Sequence, residues 1–274
     1  MAKFVVFRKQ PILFRIIVVI LSTLFLVYGI TVFCDASESV PENDLPEGAA
    51  YIGIMEQKNV AEIEREIYNT SAEKQMLDLV SQLEEDPGMV WRILKEVNAV
   101  FMGDSRVMGF YMNDYMYESR IIADGGATLH DVPAGYETLK MINPGLLVLA
   151  YGINDINTTD LWPDVDAYIR ELNEIMETLT QMLPDTYIYV QSIIPVDWVG
   201  LETSPSWGQV PDWNAAIRAD CEEMGWRYVD VTYIVTDFGD LYDSDGVHFN
   251  IPLYQHWGEA ILTQYLLDSG WLES

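Results

Sequence analysis

The sequence predicts an α/β protein, a three-layer α/β/α sandwich around a five-stranded, mainly parallel sheet, preceded by an N-terminal transmembrane helix. Three observations predict it. Short continuous apolar runs alternate with helix-length amphipathic segments from about residue 97 onward, the pattern of repeated strand, loop and helix units. Four of the five runs end at glycine or proline turns and are continuously apolar, as suits parallel strands buried on both faces. Residues 16–34 (IIVVILSTLFLVYGITVFC) hold no charge.

Taken from the N-terminus, residues 1–15 carry Lys3, Arg8, Lys9 and Arg15. The apolar segment 16–34 would make a helix of roughly 28 Å, close to the hydrocarbon thickness of a bilayer. Asp35, Glu38, Glu42 and Asp44 follow it. This asymmetry puts residues 1–15 in the cytoplasm and everything after Asp35 outside. A cleaved signal peptide is the competing reading, because Cys34-Asp35-Ala36 loosely resembles a cleavage site. The apolar stretch is longer than a signal-peptide core, which favours an uncleaved anchor. Either way the rest of the chain is exported. Phe33 fits a lipoprotein motif badly, so Cys34 is read as an inert thiol at the membrane interface, with palmitoylation left open.

Residues 35–50 are acidic, contain Pro41 and Pro46, and read as a linker. Residues 51–96 read as a helical stalk or flap. Within them Val60, Ile63 and Ile67, then Met76, Val80 and Leu83, keep helical spacing with a slip at Asn69–Ser71. Two short helices over 56–84 and a turn at Asp86-Pro87-Gly88 follow from this. The α/β domain occupies 97–274. Its five strands are read at Ala99–Met102, Ile121–Ala123, Leu146–Ala150, Tyr187–Val190 and Tyr228–Val231. Helices are read at 164–183, with Pro163 before the first turn, at 211–224 between Pro211 and Gly225, and at 252–270.

The charge balance argues against one class of function. Lys and Arg number 15 against 43 Asp and Glu, a formal net charge of −28, and nucleic-acid binding rests on neutralising phosphates. The two cysteines, Cys34 and Cys221, have no metal-binding or redox spacing and are too differently placed for a structural disulfide.

The working residues of such sheets collect beyond the carboxyl ends of the strands, and polar clusters stand there. They are Gly103-Asp104-Ser105-Arg106, Asp124-Gly125-Gly126-Ala127-Thr128, Gly152-Ile153-Asn154-Asp155 and, after the fifth strand, Asp243-Ser244-Asp245-Gly246-Val247-His248. A serine hydroxyl needs an adjacent base to attack an ester. His248, three residues after a carboxylate in a glycine-containing loop, can be oriented by Asp245 and can serve Ser105. Asp243 is an alternative orienting carboxylate, with the longer spacing. The Ser105 N–H, a glycine N–H and the Asn154 amide can bind the oxyanion.

The order Gly-Asp-Ser, Gly, Gly-x-Asn-Asp, Asp-x-x-His resembles the four signature blocks of the SGNH/GDSL hydrolases over roughly residues 97–270. The resemblance implies an SGNH, flavodoxin-like fold and a cofactor-free serine esterase. Its triad would be Ser105, Asp245 and His248, and its oxyanion hole Ser105, Gly126 and Asn154. Gly125 competes with Gly126, which is preferred because Gly-Ala-Thr is similar to the family's usual Gly-Asp-Thr. The family's GDSL reads GDSR here, which leaves the local pocket open. No Gly-x-Ser-x-Gly elbow surrounds Ser105, against an ordinary α/β-hydrolase.

Asp104, Arg106, Trp198 and Trp207 are candidate substrate contacts, and the two tryptophans, in the long segment Pro195–Pro211, equally suit packing that loop down. His130 reads as a surface or helix-start residue and His256 as a packing residue. Asp104 and Asp155 read as helix caps, and no metal is expected. The implied partners are an ester, in particular an acylated glycan, and the membrane through the N-terminal helix. The implied localisation is a single-pass membrane protein with its domain outside the cell. An O-acyltransferase with the same triad, a lipase or thioesterase, and a non-catalytic scaffold of the same fold are the alternatives.

Overall fold

Apolar runs that end in glycine or polar turns become the strands. In the computed structural model, which describes residues 78–79, 81–83, 85–237 and 241–270, they are β1 Ala99–Gly103, β2 Ile121–Ala123, β3 Leu146–Ala150, β4 Tyr187–Gln191 and β5 Arg227–Val229. Their order is β2-β1-β3-β4-β5, and all four pairings are parallel. The order reverses between β1 and β3, so the crevice beyond their carboxyl ends is where a ligand site is expected.

The chain divides into two compact units, residues 1–85 with 272–274, and Asp86–Trp271. In the first, residues 78–79, 81–83 and 85 are helical, at the end of the helical stretch read at 56–84 and one residue past it. The transmembrane segment 16–34, the linker 35–50 and most of 51–84 lie outside the described residues.

In the second unit the helices α1 Met89–Glu96, α2 Ser105–Met112, α3 Tyr136–Ile142, α4 Val165–Met182, α5 Trp198–Thr203, α6 Val210–Met224, α7 Tyr233–Asp237 and α8 Ile251–Asp268 surround the sheet. Alternate strand residues face opposite layers. Val100, Met102, Leu147, Leu149, Ile188 and Val190 pack with Leu139 of α3, Leu172 and Leu179 of α4, and Ile217 and Cys221 of α6. Phe101, on the other face, meets Phe110 of α2 at 4.7 Å between ring centres, and Phe110 meets Trp257 of α8 at 4.8 Å. The Trp257 indole N–H donates to Gln191 at the end of β4. Burying a large aromatic removes 150–250 Å2 from water, so this cluster anchors the second layer.

Two boundaries differ from the sequence expectation. Helix α1 belongs to the second unit, which starts at Asp86 rather than at 97. Its apolar face, Val90, Trp91 and Leu94, is buried, and the Trp91 N–H donates to Gln255 of α8 at 2.7 Å. The fifth strand ends at Val229 instead of Val231 because Asp230 turns the chain. Its carboxylate accepts the N–H and the hydroxyl of Thr232 at 2.9 and 2.7 Å, a local bond that competes with the ladder. The long helices stand where expected. Asp164 caps α4 by accepting the Ala167 N–H at 2.8 Å, and Gly225, at φ +73°, closes α6.

Candidate active site

The nucleophile candidate is placed by a helix start. Asp104 is extended, and its carboxylate accepts the Arg106 N–H at 2.8 Å, an N-cap that fixes Ser105 at the first position of α2. The side chains of Asp104 and Arg106 do not reach the surface, with 2% and 4% of each residue exposed. The expectation that they touch substrate is corrected. The cap holds Asp104 inward, and Arg106 runs beneath the site to donate to the Ile194 carbonyl.

The last cluster forms a loop closed on itself. The Asp243 N–H donates to the His248 carbonyl and the Asn250 N–H to Leu241, both at 2.8 Å. Inside it, Asp245 Oδ1 accepts the N–H groups of Val247 and His248 at 2.8 Å each. Asp245 Oδ2 lies 2.6 Å from His248 Nδ1, and His248 Nε2 lies 2.9 Å from Ser105 Oγ. Asp243 instead accepts the neighbouring Ser244 N–H, so Asp245 is the carboxylate on the imidazole. Gly246 is required here. Its φ is +69°, and a Cβ would run into the Asp197 carboxylate. Burial disfavours an ionised Asp245, but the bonds from the His248 ring and from the His248 and Val247 N–H groups outweigh it. They lower its pKa to about 2.

The two middle clusters are tied together. Asp155, fully buried, accepts the N–H of Leu129 with one oxygen and that of Gly152 with the other, both at 2.8 Å. Burial raises its pKa to about 7 against the pull of those N–H groups. Asn154 donates one amide hydrogen to the Ala127 carbonyl at 2.9 Å, which leaves the second for a substrate. The Gly125 N–H bonds Asp124 at 2.8 Å. Gly126, at φ +77°, lines an open cavity of about 520 Å3 together with Asp124, Asp131, Thr138 and Tyr151.

Of the two tryptophans, Trp198 is 69% exposed and begins α5, whose cap Asp197 donates its N–H to the Gly246 carbonyl at 2.9 Å. Trp207 packs inward, donating to the Ile153 carbonyl at 2.6 Å. His130 pairs with Glu171 at 2.8 Å on the surface, and His256 with Glu259 at 3.1 Å within α8. Among the described residues no group of three or more His, Cys, Asp or Glu side chains is arranged to hold a metal. No described helix is long and apolar enough to cross a membrane.

Sequence reasoning missed two roles. Asp155, which the sequence presents as a cap, is the joint between two site loops. Asp197 seats the glycine of the histidine loop through its N–H on the Gly246 carbonyl. The only signal was an aspartate two residues after Pro195, which any surface turn also shows.

Comparison with known proteins adds the family. The GDSL-like Lipase/Acylhydrolase family matches residues 111–256, more than half of the 274. The match includes Asn154, Asp245 and His248 and starts after Ser105. No curated protein matches. Among solved structures, the chain is similar to a GDSL-like lipase from Bacteroides thetaiotaomicron at 19% identity. That alignment covers 64% of this chain and 90% of that one, with a TM-score of 0.49. It is also similar to an acetylxylan esterase from Geobacillus stearothermophilus at 16% identity, over 61% and 92% of the chains, with a TM-score of 0.46. The chain belongs to the GDSL-like lipase/acylhydrolase family and is a carboxylic ester hydrolase.

Proposed function

We propose that this hydrolase is a membrane-anchored esterase of the extracytoplasmic face that removes O-acetyl or similarly short acyl groups from carbohydrate, with Ser105 as nucleophile. The observation that carries the catalytic part is the unbroken line from Ser105 Oγ to His248 at 2.9 Å and on to Asp245 at 2.6 Å. Ser105 Oγ attacks the ester carbonyl while its proton passes to His248 Nε2. Asp245, ionised at any working pH, holds the opposite ring N–H and stabilises the imidazolium. The Ser105 N–H, the Gly126 N–H and the second Asn154 amide hydrogen receive the oxyanion. His248 returns the proton to the departing alcohol, and water releases the acid from acyl-Ser105 by the same steps.

The carbohydrate reading rests on lining chemistry. The cavity beside Gly126 has a mixed wall, with Asp124, Asp131, Thr138 and Tyr151 able to bond hydroxyl groups and Ile122, Ala123 and Ala134 offering apolar contact to a short acyl group. Exposed Trp198 offers an aromatic face of the kind that stacks on a sugar ring. The acetylxylan esterase among the similar structures acts on esters of this class. The outward placement rests on the charge-free segment 16–34 and the basic residues before it.

Substrate choice is tested by assaying the purified protein on an O-acetylated oligosaccharide and on p-nitrophenyl esters of rising chain length. Acetate release from the glycan, and a kcat/KM that falls from acetate to octanoate, are the expected outcomes. A preference for long chains would make the enzyme a lipase.

A further inference from the structure

The Asp245–His248 loop stands at the surface, with side chains 48% and 42% exposed. A loop so exposed needs a buried foot to keep a catalytic imidazole in place. That foot is Phe249, the residue after His248, which is 7% exposed. Phe249 stands on Arg106, whose guanidinium carbon lies 4.8 Å from the centre of the ring.

Arg106 is itself an unusual core residue. It follows the candidate nucleophile directly, so α2 carries both. Its Nη1 donates to the Ile194 carbonyl beyond β4 at 2.5 Å, while Nε and Nη2 have no partner. With Asp104, Gln191, Ser192 and Trp257 it lines a small cavity of about 10 Å3, room for one water. Asp104, Tyr242, Tyr254 and Asp245 all feel its charge. An apolar side chain of similar length would fill this space without the penalty of burying a cation. Simple packing therefore does not account for a guanidinium here.

We propose that Arg106 is a positioning residue for the reaction. Its guanidinium, braced between the nucleophile helix, the Ile194 carbonyl and the Phe249 ring, sets the separation of Ser105 and His248. The fork of donors and the flat cation are both used, one on a carbonyl and one on an aromatic face, and lysine supplies neither geometry. Through Asp104, which caps α2 and shares the cavity, the same group also steadies the turn that presents Ser105. This inference rests on the reading of Ser105 and His248 as nucleophile and base.

The test uses the full-length protein and Arg106→Leu and Arg106→Lys, each checked for folding by thermal denaturation, with kcat and KM measured on p-nitrophenyl acetate. The expected result is a kcat lower by about tenfold to a hundredfold in the Leu variant and by an intermediate factor in the Lys variant, with KM little changed. Placed on His248→Ala, the Leu substitution should remove nothing further, because the effect runs through the imidazole. A folded Lys variant with wild-type kcat would overturn the inference, and it decides alone if the Leu variant does not fold. So would an equal loss in the His248→Ala background, which would mark Arg106 as a structural residue only. If Ser105→Ala hydrolyses as fast as the wild type, the reading of the nucleophile fails first and this inference goes with it. Loss in Ser105→Ala beside unchanged Arg106 variants removes this inference alone.

Discussion

Asp245 holds its charge because three donors converge on it, two backbone N–H groups at 2.8 Å and the imidazole at 2.6 Å. With a folded pKa of about 2 and an unfolded value of about 3.9, the unfolded chain binds more protons between those values. The stability that this carboxylate contributes is therefore complete above about pH 4 and lost as the pH falls toward 2. Asp245→Asn should lower kcat by about 10^4-fold, as loss of the orienting carboxylate does in other triads. Its stability deficit against the wild type, followed by urea unfolding at a series of pH values, should shrink below pH 4. A deficit independent of pH would contradict the ionised pair. At this scale the sequence was legible where spacing decided the matter, as between Asp245 and Asp243. It was not legible for Asp104 and Arg106. Polar residues after a strand read as a solvated turn, and only the folded chain, with Arg106 on the Ile194 carbonyl and against the Phe249 ring, shows them to be buried.

Between elements, Asp155 is the joint. It draws the Leu129 N–H and the Gly152 N–H to one buried carboxyl, and Asn154 beside it bonds the Ala127 carbonyl. The loops that carry Gly126 and Asn154 are therefore tied to each other by these hydrogen bonds. Asp155→Asn would turn an amide donor toward one of those N–H groups, leaving it unsatisfied at a cost of about 1–3 kcal/mol. The expected outcome is a lower melting temperature and a kcat that falls with it, and a variant as stable and active as the wild type would refute the coupling. The long helices α4, α6 and α8 were legible because 15 to 18 residues give several turns of apolar spacing. Helices α2 and α5, of eight and six residues, have too few turns for a period to show, and they begin at Ser105 and Trp198, inside what reads as loop. The strands were legible as apolar runs, apart from the end of β5, where the Asp230–Thr232 bonds override residue type.

For the molecule as a whole, the strand order places Ser105 after β1 and Asn154 after β3, on either side of the point where the order reverses. The loop with Asp245 and His248 arrives from beyond β5. Two distant stretches of sequence thus meet, with His248 Nε2 standing 2.9 Å from Ser105 Oγ, and the order of the motifs along the chain makes that pairing an expectation of the sequence. The N-terminal reading makes a cellular prediction. Protease added to intact cells should digest everything after the anchor, and protection until lysis would place the domain on the inner side. The most direct measurement is hydrolysis of p-nitrophenyl acetate by the full-length protein beside Ser105→Ala and His248→Ala, with fluorophosphonate labelling mapped by mass spectrometry. The account predicts turnover lost by a factor on the order of 10^4 or more in both variants and a single adduct on Ser105. Equal rates in all three proteins, or an adduct on another residue, would contradict it.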